Sequence, residues 1–262
     1  VMKPSSGSVQ VLGYDVDRQA EDVRPRIGYM PQNFSLYPDL SVIENLNFFA
    51  DLNHVRGPGR QTRIDEMLHF TRLDRFRSRR AANLSGGMKK KLALACALVH
   101  SPEVLLLDEP STGVDPVSRR ELWVMLAEVV ANGVTVLVST PYMDEADRCS
   151  QVGILYDGHL LSQGTPEELQ SALPYSIIEV KASPRKVMRR VVAEMADVHD
   201  WRPVGDRLRL SVLNENSNIS KMIRSLEKAL KQEKAEIQIL RAAKTTMEDV
   251  FTHAVQHRRA GL

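Results

Sequence analysis

Two adjacent carboxylates close an unbroken apolar run, Val104-Leu105-Leu106-Leu107-Asp108-Glu109-Pro110. A continuous apolar run of this length suits a strand covered on both faces in a parallel sheet. Open α/β sheets take their ligands beyond the carboxyl ends of such strands, which is where Asp108 and Glu109 fall. The chemistry that fits the pair is phosphoryl transfer. Asp108 would hold Mg²⁺ through water, and Glu109 would polarise an attacking water. A strand that simply ends in a polar turn accounts for the pair equally well on these residues alone.

A second segment separates the two accounts. Leu84-Ser85-Gly86-Gly87-Met88 opens an Ala/Leu-rich stretch over 88–100 that predicts a helix. Ser85 stands 23 positions before Asp108. Two glycines let the backbone approach a ligand closely, and free N–H groups at a helix start favour an anion. The plainer account is a serine cap with flexible residues behind it.

The elements that must position these groups alternate between strand and helix, the pattern of an α/β layer fold. Residues 9–13 and 27–30 are expected as short strands, the second running to Pro31-Gln32. Residues 34–82 are expected to be mostly helical, with Ser41 and Glu44 forming a capping box. Helices are expected at 117–132 and 142–149, and a second buried strand at 134–139. A hairpin across Asp157-Gly158 follows. From about 173 the order becomes β-α-β-β-α-β and then a last helix, a ferredoxin-like arrangement.

Composition bounds the classes. Lys plus Arg is 35 and Asp plus Glu is 33, a net charge of +2, which argues against a polybasic nucleic-acid binder. At 43% hydrophobic and 26% charged the chain is too apolar for a disordered one. No run approaches the roughly 18 apolar residues of a membrane helix. Cys96 and Cys149 make no disulfide framework, and each falls in an expected helix, which favours a reducing compartment.

Taken together these segments resemble the ATP-binding cassette (ABC) ATPases. Leu84, Ser85, Gly86, Gly87 and Met88 resemble the family signature, and Leu105-Leu106-Leu107-Asp108-Glu109-Pro110 its Walker B strand with the catalytic glutamate. Ser111-Thr112-Gly113-Val114-Asp115-Pro116 resembles the D-loop. Gly28-Tyr29-Met30-Pro31-Gln32 resembles the strand entering the Q-loop, with Gln32 as its glutamine. The resemblance covers residues 1–170 in the family's order. It implies a P-loop NTPase domain over 1–172, with a helical subdomain at about 34–100 that docks a membrane permease, followed by a small α+β accessory domain over 173–262. ATP and Mg²⁺ are then the ligands. Gln32 would contact Mg²⁺, and the signature would grip the γ-phosphate of ATP held mainly by a second ABC ATPase domain. Asp115 would reach across that dimer. The place of work is the cytoplasmic face of a bacterial inner membrane, the task export of drug-like cargo, and nucleic acid is not a partner.

The sequence departs from the family twice. No Gly-x-x-x-x-Gly-Lys-Ser/Thr occurs in the 262 residues. Val1 is therefore expected to fall just after a missing strand, phosphate loop and helix. Several charge-assisted hydrogen bonds of roughly 1.5–3 kcal/mol each go with that loop, so the chain as written is expected to bind ATP orders of magnitude more weakly than an intact domain. Secondly, Ser139-Thr140-Pro141 puts proline where the family has its switch histidine, and proline brings no donor. The domain's own site is then expected to be impaired and the assembly asymmetric, with tandem or heterodimeric parents in view. Two alternatives remain: a non-hydrolysing half that completes a partner's site through Ser85–Gly87, and a soluble ABC ATPase outside transport. Near the C-terminus Thr246-Met247-Glu248-Asp249-Val250-Phe251 resembles the closing segment of export-type extensions. The basic stripe Lys181, Arg185, Lys186, Arg189 and Arg190 reads as a solvated face sooner than a lipid contact.

Overall fold

The computed structural model describes residues 4–33, 35–213 and 219–259. The chain divides into two compact units, Val1–Pro141 and Tyr142–Leu262.

In the first unit the expected strand at 9–13 is instead a small ribbon, β1 (Gln10–Val11) against β2 (Tyr14–Asp15). A short helix α1 (Ala20–Val23) leads to β3 (Ile27–Met30). Helices α2 (Val42–Leu52), α3 (Gly59–Thr71) and α4 (Gly86–Leu98) follow, then β4 (Val104–Asp108), α5 (Pro116–Ala131) and β5 (Thr135–Ser139). The capping box of α2 forms as expected: Ser41 Oγ accepts from the Glu44 N–H, and the Glu44 carboxylate accepts from the Ser41 N–H at 2.7 Å. The core of the helical segment is built from Val42, Leu46, Ile64 and Leu68 on α2 and α3, with Leu92 and Leu94 of α4.

Strands β3, β4 and β5 are parallel neighbours in that order. Helix α4 lies so close over β3 that a Cβ on Gly28 would come within 2.3 Å of the Ala97 carbonyl oxygen. That approach helps bury Met30, Leu105 and Leu107. The other face differs from expectation. Tyr29, Leu106 and Leu137 stand in one row across the three strands, and Tyr29 is 57% and Leu137 65% exposed. The strand at 134–139 is therefore not buried. An apolar run reports a strand's fitness for burial, whereas burial itself needs a layer on each face and a neighbour on each edge. Among the described residues β5 has a neighbour on one edge only.

The second unit starts with α6 (Met143–Ala146), four residues where eight were expected, so Cys149 lies beyond the helix while Cys96 is inside α4. Then come the hairpin β6 (Val152–Tyr156) and β7 (His159–Gly164), and α7 (Pro166–Ser171). Asp157 and Gly158 both take positive φ, as a tight hairpin turn requires. The βαββαβ set is β8 (Tyr175–Ser183), α8 (Arg185–Glu194), β9 (Val198–Val204), β10 (Arg207–Leu213), α9 (Ile219–Gln232) and β11 (Glu236–Ala243). A last helix, α10 (Met247–Arg259), follows. The antiparallel sheet has the order β11-β8-β10-β9, the ferredoxin-like order anticipated. Ile178, Val180, Leu208 and Leu210 on one sheet face pack with Met188 and Val192 of α8 and Met222, Leu226 and Leu230 of α9. The start of the helix expected at 217–233 lies outside the described residues.

A boundary after residue 172 is not where the compact units part. Ala146 and Ile154 share a core with Leu173, Tyr175, Ile177, Met247 and Val250. Segment 142–172 thus buries its apolar side against the C-terminal sheet and helix, and side-chain packing of that kind is invisible to composition along the chain.

Candidate functional site

The site gathers at the carboxyl end of β4, as the sheet geometry requires. Register sets Asp108 opposite Ser139 of β5. Ser139 Oγ donates to Asp108 Oδ1 at 2.6 Å and accepts the Glu109 N–H at 3.1 Å. The Ser139 carbonyl takes the same N–H at 3.0 Å. Glu109 adopts φ +45°, a left-handed conformation that costs a residue with a Cβ roughly 1–3 kcal/mol and survives where surrounding bonds over-determine it. The turn aims its carboxylate at β3: Gln32 Nε2 donates to Glu109 Oε2 at 2.8 Å, and Thr112 Oγ1 donates to the same oxygen at 3.0 Å. Two segments far from β4 in sequence, those that follow β3 and end β5, thus converge on Asp108 and Glu109, and Thr112 joins them from the turn after β4.

The oxygen donors suit Mg²⁺, which keeps several waters and takes one or two protein carboxylates beside substrate phosphates. Among the described residues no cluster of three or more His, Cys, Asp or Glu could enclose a metal by itself.

Helix α4 begins as the sequence suggests. Ser85 caps it, its Oγ accepting the Met88 N–H at 3.3 Å. The plain role of a helix cap is thus present. The two glycines differ. A Cβ on Gly87 would sit 2.3 Å from Ser118 Oγ and 2.5 Å from Ser118 Cβ, so Gly87 is needed for α4 to lie against α5. A Cβ on Gly86 would meet only the Gly113 carbonyl, at 3.5 Å. Packing alone does not call for glycine there. Gly87→Ala should therefore cost about 1–3 kcal/mol by overpacking, while Gly86→Ala leaves stability within about 1 kcal/mol. Urea unfolding of the two variants checks this, and equal losses would contradict it.

Asp115, expected to reach across a dimer, caps α5: Oδ1 accepts the Val117 and Ser118 N–H groups, both at 3.0 Å. The Ser118 hydroxyl, then these amides, hold its carboxyl below the ordinary value. Leu84 is buried under the start of α4. Pro141 follows β5 by two residues and offers no donor. His100 does not take the switch role; its Nε2 lies 3.1 Å from the Ile27 carbonyl, and burial lowers its pKa.

Three contributors were not anticipated: Ser139, Thr112 as a donor to Glu109, and Lys90. Ser139 carries a signal in hindsight, a hydroxyl closing an apolar strand that a parallel register brings beside Asp108. Lys90 carries none of its own, being the middle one of three consecutive lysines, Lys89, Lys90 and Lys91.

The family described as ABC transporter matches residues 1–112. The probable multidrug ABC transporter ATP-binding protein YbhF of Escherichia coli is 44% identical over 218 residues, 82% of this chain and 38% of its own length. The daunorubicin resistance ATP-binding protein DrrA2 of Streptomyces coeruleorubidus is 32% identical over 259 residues, covering 98% of this chain and 80% of the relative. A solved structure titled as the ATP binding subunit of an ABC transporter superposes with a TM-score of 0.58 at 30% identity, over 65% of this chain and 71% of that one. The fold is that of an ABC ATPase domain of P-loop NTPase type. The chain belongs to the ABC transporter family, among its ATP-binding proteins. It spans less than two fifths of the length of YbhF.

Proposed function

We propose that this chain is the ATP-hydrolysing part of an ABC exporter. The observation that carries this reading is the set of bonds joining Gln32, Thr112 and Ser139 to Asp108 and Glu109 at the end of β4. Glu109 would hold and polarise the attacking water, with Gln32 and Thr112 fixing its carboxylate. Asp108, oriented by Ser139, would hold Mg²⁺ through water. The cation's chemistry is to neutralise charge developing on the phosphates. Ser85, Gly86, Gly87 and Met88 would meet ATP held mainly by a second ABC ATPase domain, and Asp115 would face that domain from the cap of α5. The printed names of the relatives, multidrug ABC transporter and daunorubicin resistance, support export as the task. A membrane permease is the partner. Support for its docking comes from α2, where exposed Tyr37 packs edge-on to Phe48 at 4.5 Å and Leu52 stands open one turn further on. Among the described residues no helix is long and apolar enough to cross a membrane. The cytoplasmic face of the membrane is the place of work.

The experiment is ATP turnover by the transporter assembled from the complete protein and its permease. Hydrolysis that depends on Glu109 carries the reading, and hydrolysis indifferent to Glu109 overturns it.

A second reading rests on Pro141. With proline, which has no donor, at position 141, this site would turn over slowly and the domain would chiefly serve its partner through Ser85–Gly87. Pro141→His should then raise turnover about a hundredfold, the lower end of what one positioned acid–base group supplies. Unchanged turnover would remove this second reading.

A further inference from the structure

Lys90 stands where a surface charge does not belong. It lies on α4 and is only 2% exposed. A helical lysine near the surface normally snorkels, keeping its ammonium in water. This one turns inward. Burial weakens its hold on the proton, while the charges of Glu109 and Asp108 oppose that. Its Nζ donates to the carbonyl oxygen of Gln32 at 3.0 Å and to that of Glu109 at 3.4 Å.

Those are the two residues whose side chains meet at 2.8 Å. They lie on separate segments, one after β3 and one after β4. The side-chain bond alone leaves each backbone free to shift. Lys90 ties the backbones together from behind, on the carbonyl side, while Ser139 holds the Glu109 amide. The Glu109 peptide is thus gripped at both ends, as its left-handed conformation demands.

We propose that Lys90 is a positioning residue that staples the main chain of Gln32 to that of Glu109 and ties both to helix α4. The inference rests on reading Gln32 and Glu109 as the hydrolytic pair. Its consequence is mechanical. Ser85 and Lys90 belong to one cap and helix, about 7.5 Å apart along the axis. A ligand that moves the head of α4 therefore moves the carbonyls of Gln32 and Glu109 with it. The segment offered to a partner's nucleotide is wired to the domain's own hydrolytic pair.

The test uses Lys90→Met, Lys90→Gln and Lys90→Arg. Amide hydrogen exchange on the whole chain is expected to rise about tenfold around Gln32 and around Glu109 together in Lys90→Met. Lys90→Arg, which keeps two or more donors, restores protection in both. Lys90→Gln, neutral but able to donate, falls between them. If glutamine behaves like methionine, charge and not stapling is the role, and the proposal falls. If methionine prevents folding, the glutamine and arginine variants carry the comparison. In the assembled transporter Lys90→Met should lower kcat about 100-fold with the ATP KM within about threefold, because a ~1 Å misplacement costs on that order. An unchanged kcat beside a dead Glu109→Gln variant overturns the staple alone. A fully active Glu109→Gln variant overturns the reading of the site instead.

Discussion

Replacing Glu109 with glutamine is expected to lower ATP turnover by about 10²–10⁴-fold, the range contributed by one positioned acid–base group. The substitution keeps size and shape. Gln32 Nε2 and Thr112 Oγ1 can still donate to the amide oxygen, at the distances they now hold to Glu109 Oε2. What disappears is the negative charge beside the attacking water. Stability should move by less than about 1 kcal/mol, because the group is exposed in part and the hydrogen bonds survive. Nucleotide affinity should hold or rise, since a negative charge leaves the neighbourhood of the phosphates. Asp108→Asn makes the contrast. It removes charge where the cation would be held, so its defect should lessen at higher Mg²⁺ concentration, whereas that of Glu109→Gln should not. Turnover measured against Mg²⁺ in the assembled transporter separates the two roles, and parallel responses would show that they do not divide.

Much of this site was open to the sequence because its parts are local. A cap, two glycines and a helix occupy a few consecutive residues. A strand ending in two carboxylates does so too. Each leaves its pattern in a short window, and Ser85, Gly86, Asp108 and Glu109 are found where those windows put them. The βαββαβ order was legible for the same reason. Lys90 and Ser139 escaped because their roles are tertiary, set by the docking of α4 for Lys90 and by strand register for Ser139. Nothing within several residues of Ser139 says that β4 will place Asp108 beside it. Exposure of β5 escaped because burial depends on what covers a strand. The junction after Pro141 was hidden in a shared core whose members, Ala146 and Val250, lie about a hundred residues apart. Even Gly87 would have been misjudged from the motif alone, since its first duty is to let α4 meet Ser118.

The same contrast between local pattern and tertiary partner governs the second unit, where Asp249→Ala should remove about 3–5 kcal/mol of stability, the cost of breaking a buried ion pair from one side. Asp249 is 4% exposed at the start of α10. Oδ1 accepts from Arg202 Nη2 at 2.9 Å, and Oδ2 accepts from Arg209 Nη2, the Thr246 hydroxyl and the Thr246 N–H, each at 2.9 Å. Arg209 is itself 10% exposed and also donates to Glu179 at 3.0 Å. Arg241, Glu179, Arg209 and Arg202 stand in one cross-strand row over all four strands of the sheet. Asp249 locks α10 onto that row, while Tyr175 donates to its carbonyl from below. Alanine would leave two guanidinium groups short of a partner as well as uncapping the helix. Burial disfavours the charged form of Asp249, but the bonds from Arg202 and Thr246 and the charge of Arg209 outweigh it and keep its pKa below the ordinary value. Glu179 is lowered likewise, burial being overcome by Arg241, Arg209 and Arg207. A depressed pKa in the folded state contributes stability that is complete above the unfolded value of about 4 and is lost as pH falls through the folded one. The second unit should accordingly weaken steeply below about pH 4, and Asp249→Ala should flatten that slope while lowering the melting transition at pH 7 by roughly 10 °C or more. Unfolding of the variant and the parent at pH 7 and pH 3 decides it. Parallel acid slopes would mean that the lock is not electrostatic, and an unshifted transition at pH 7 would mean that α10 does not depend on it.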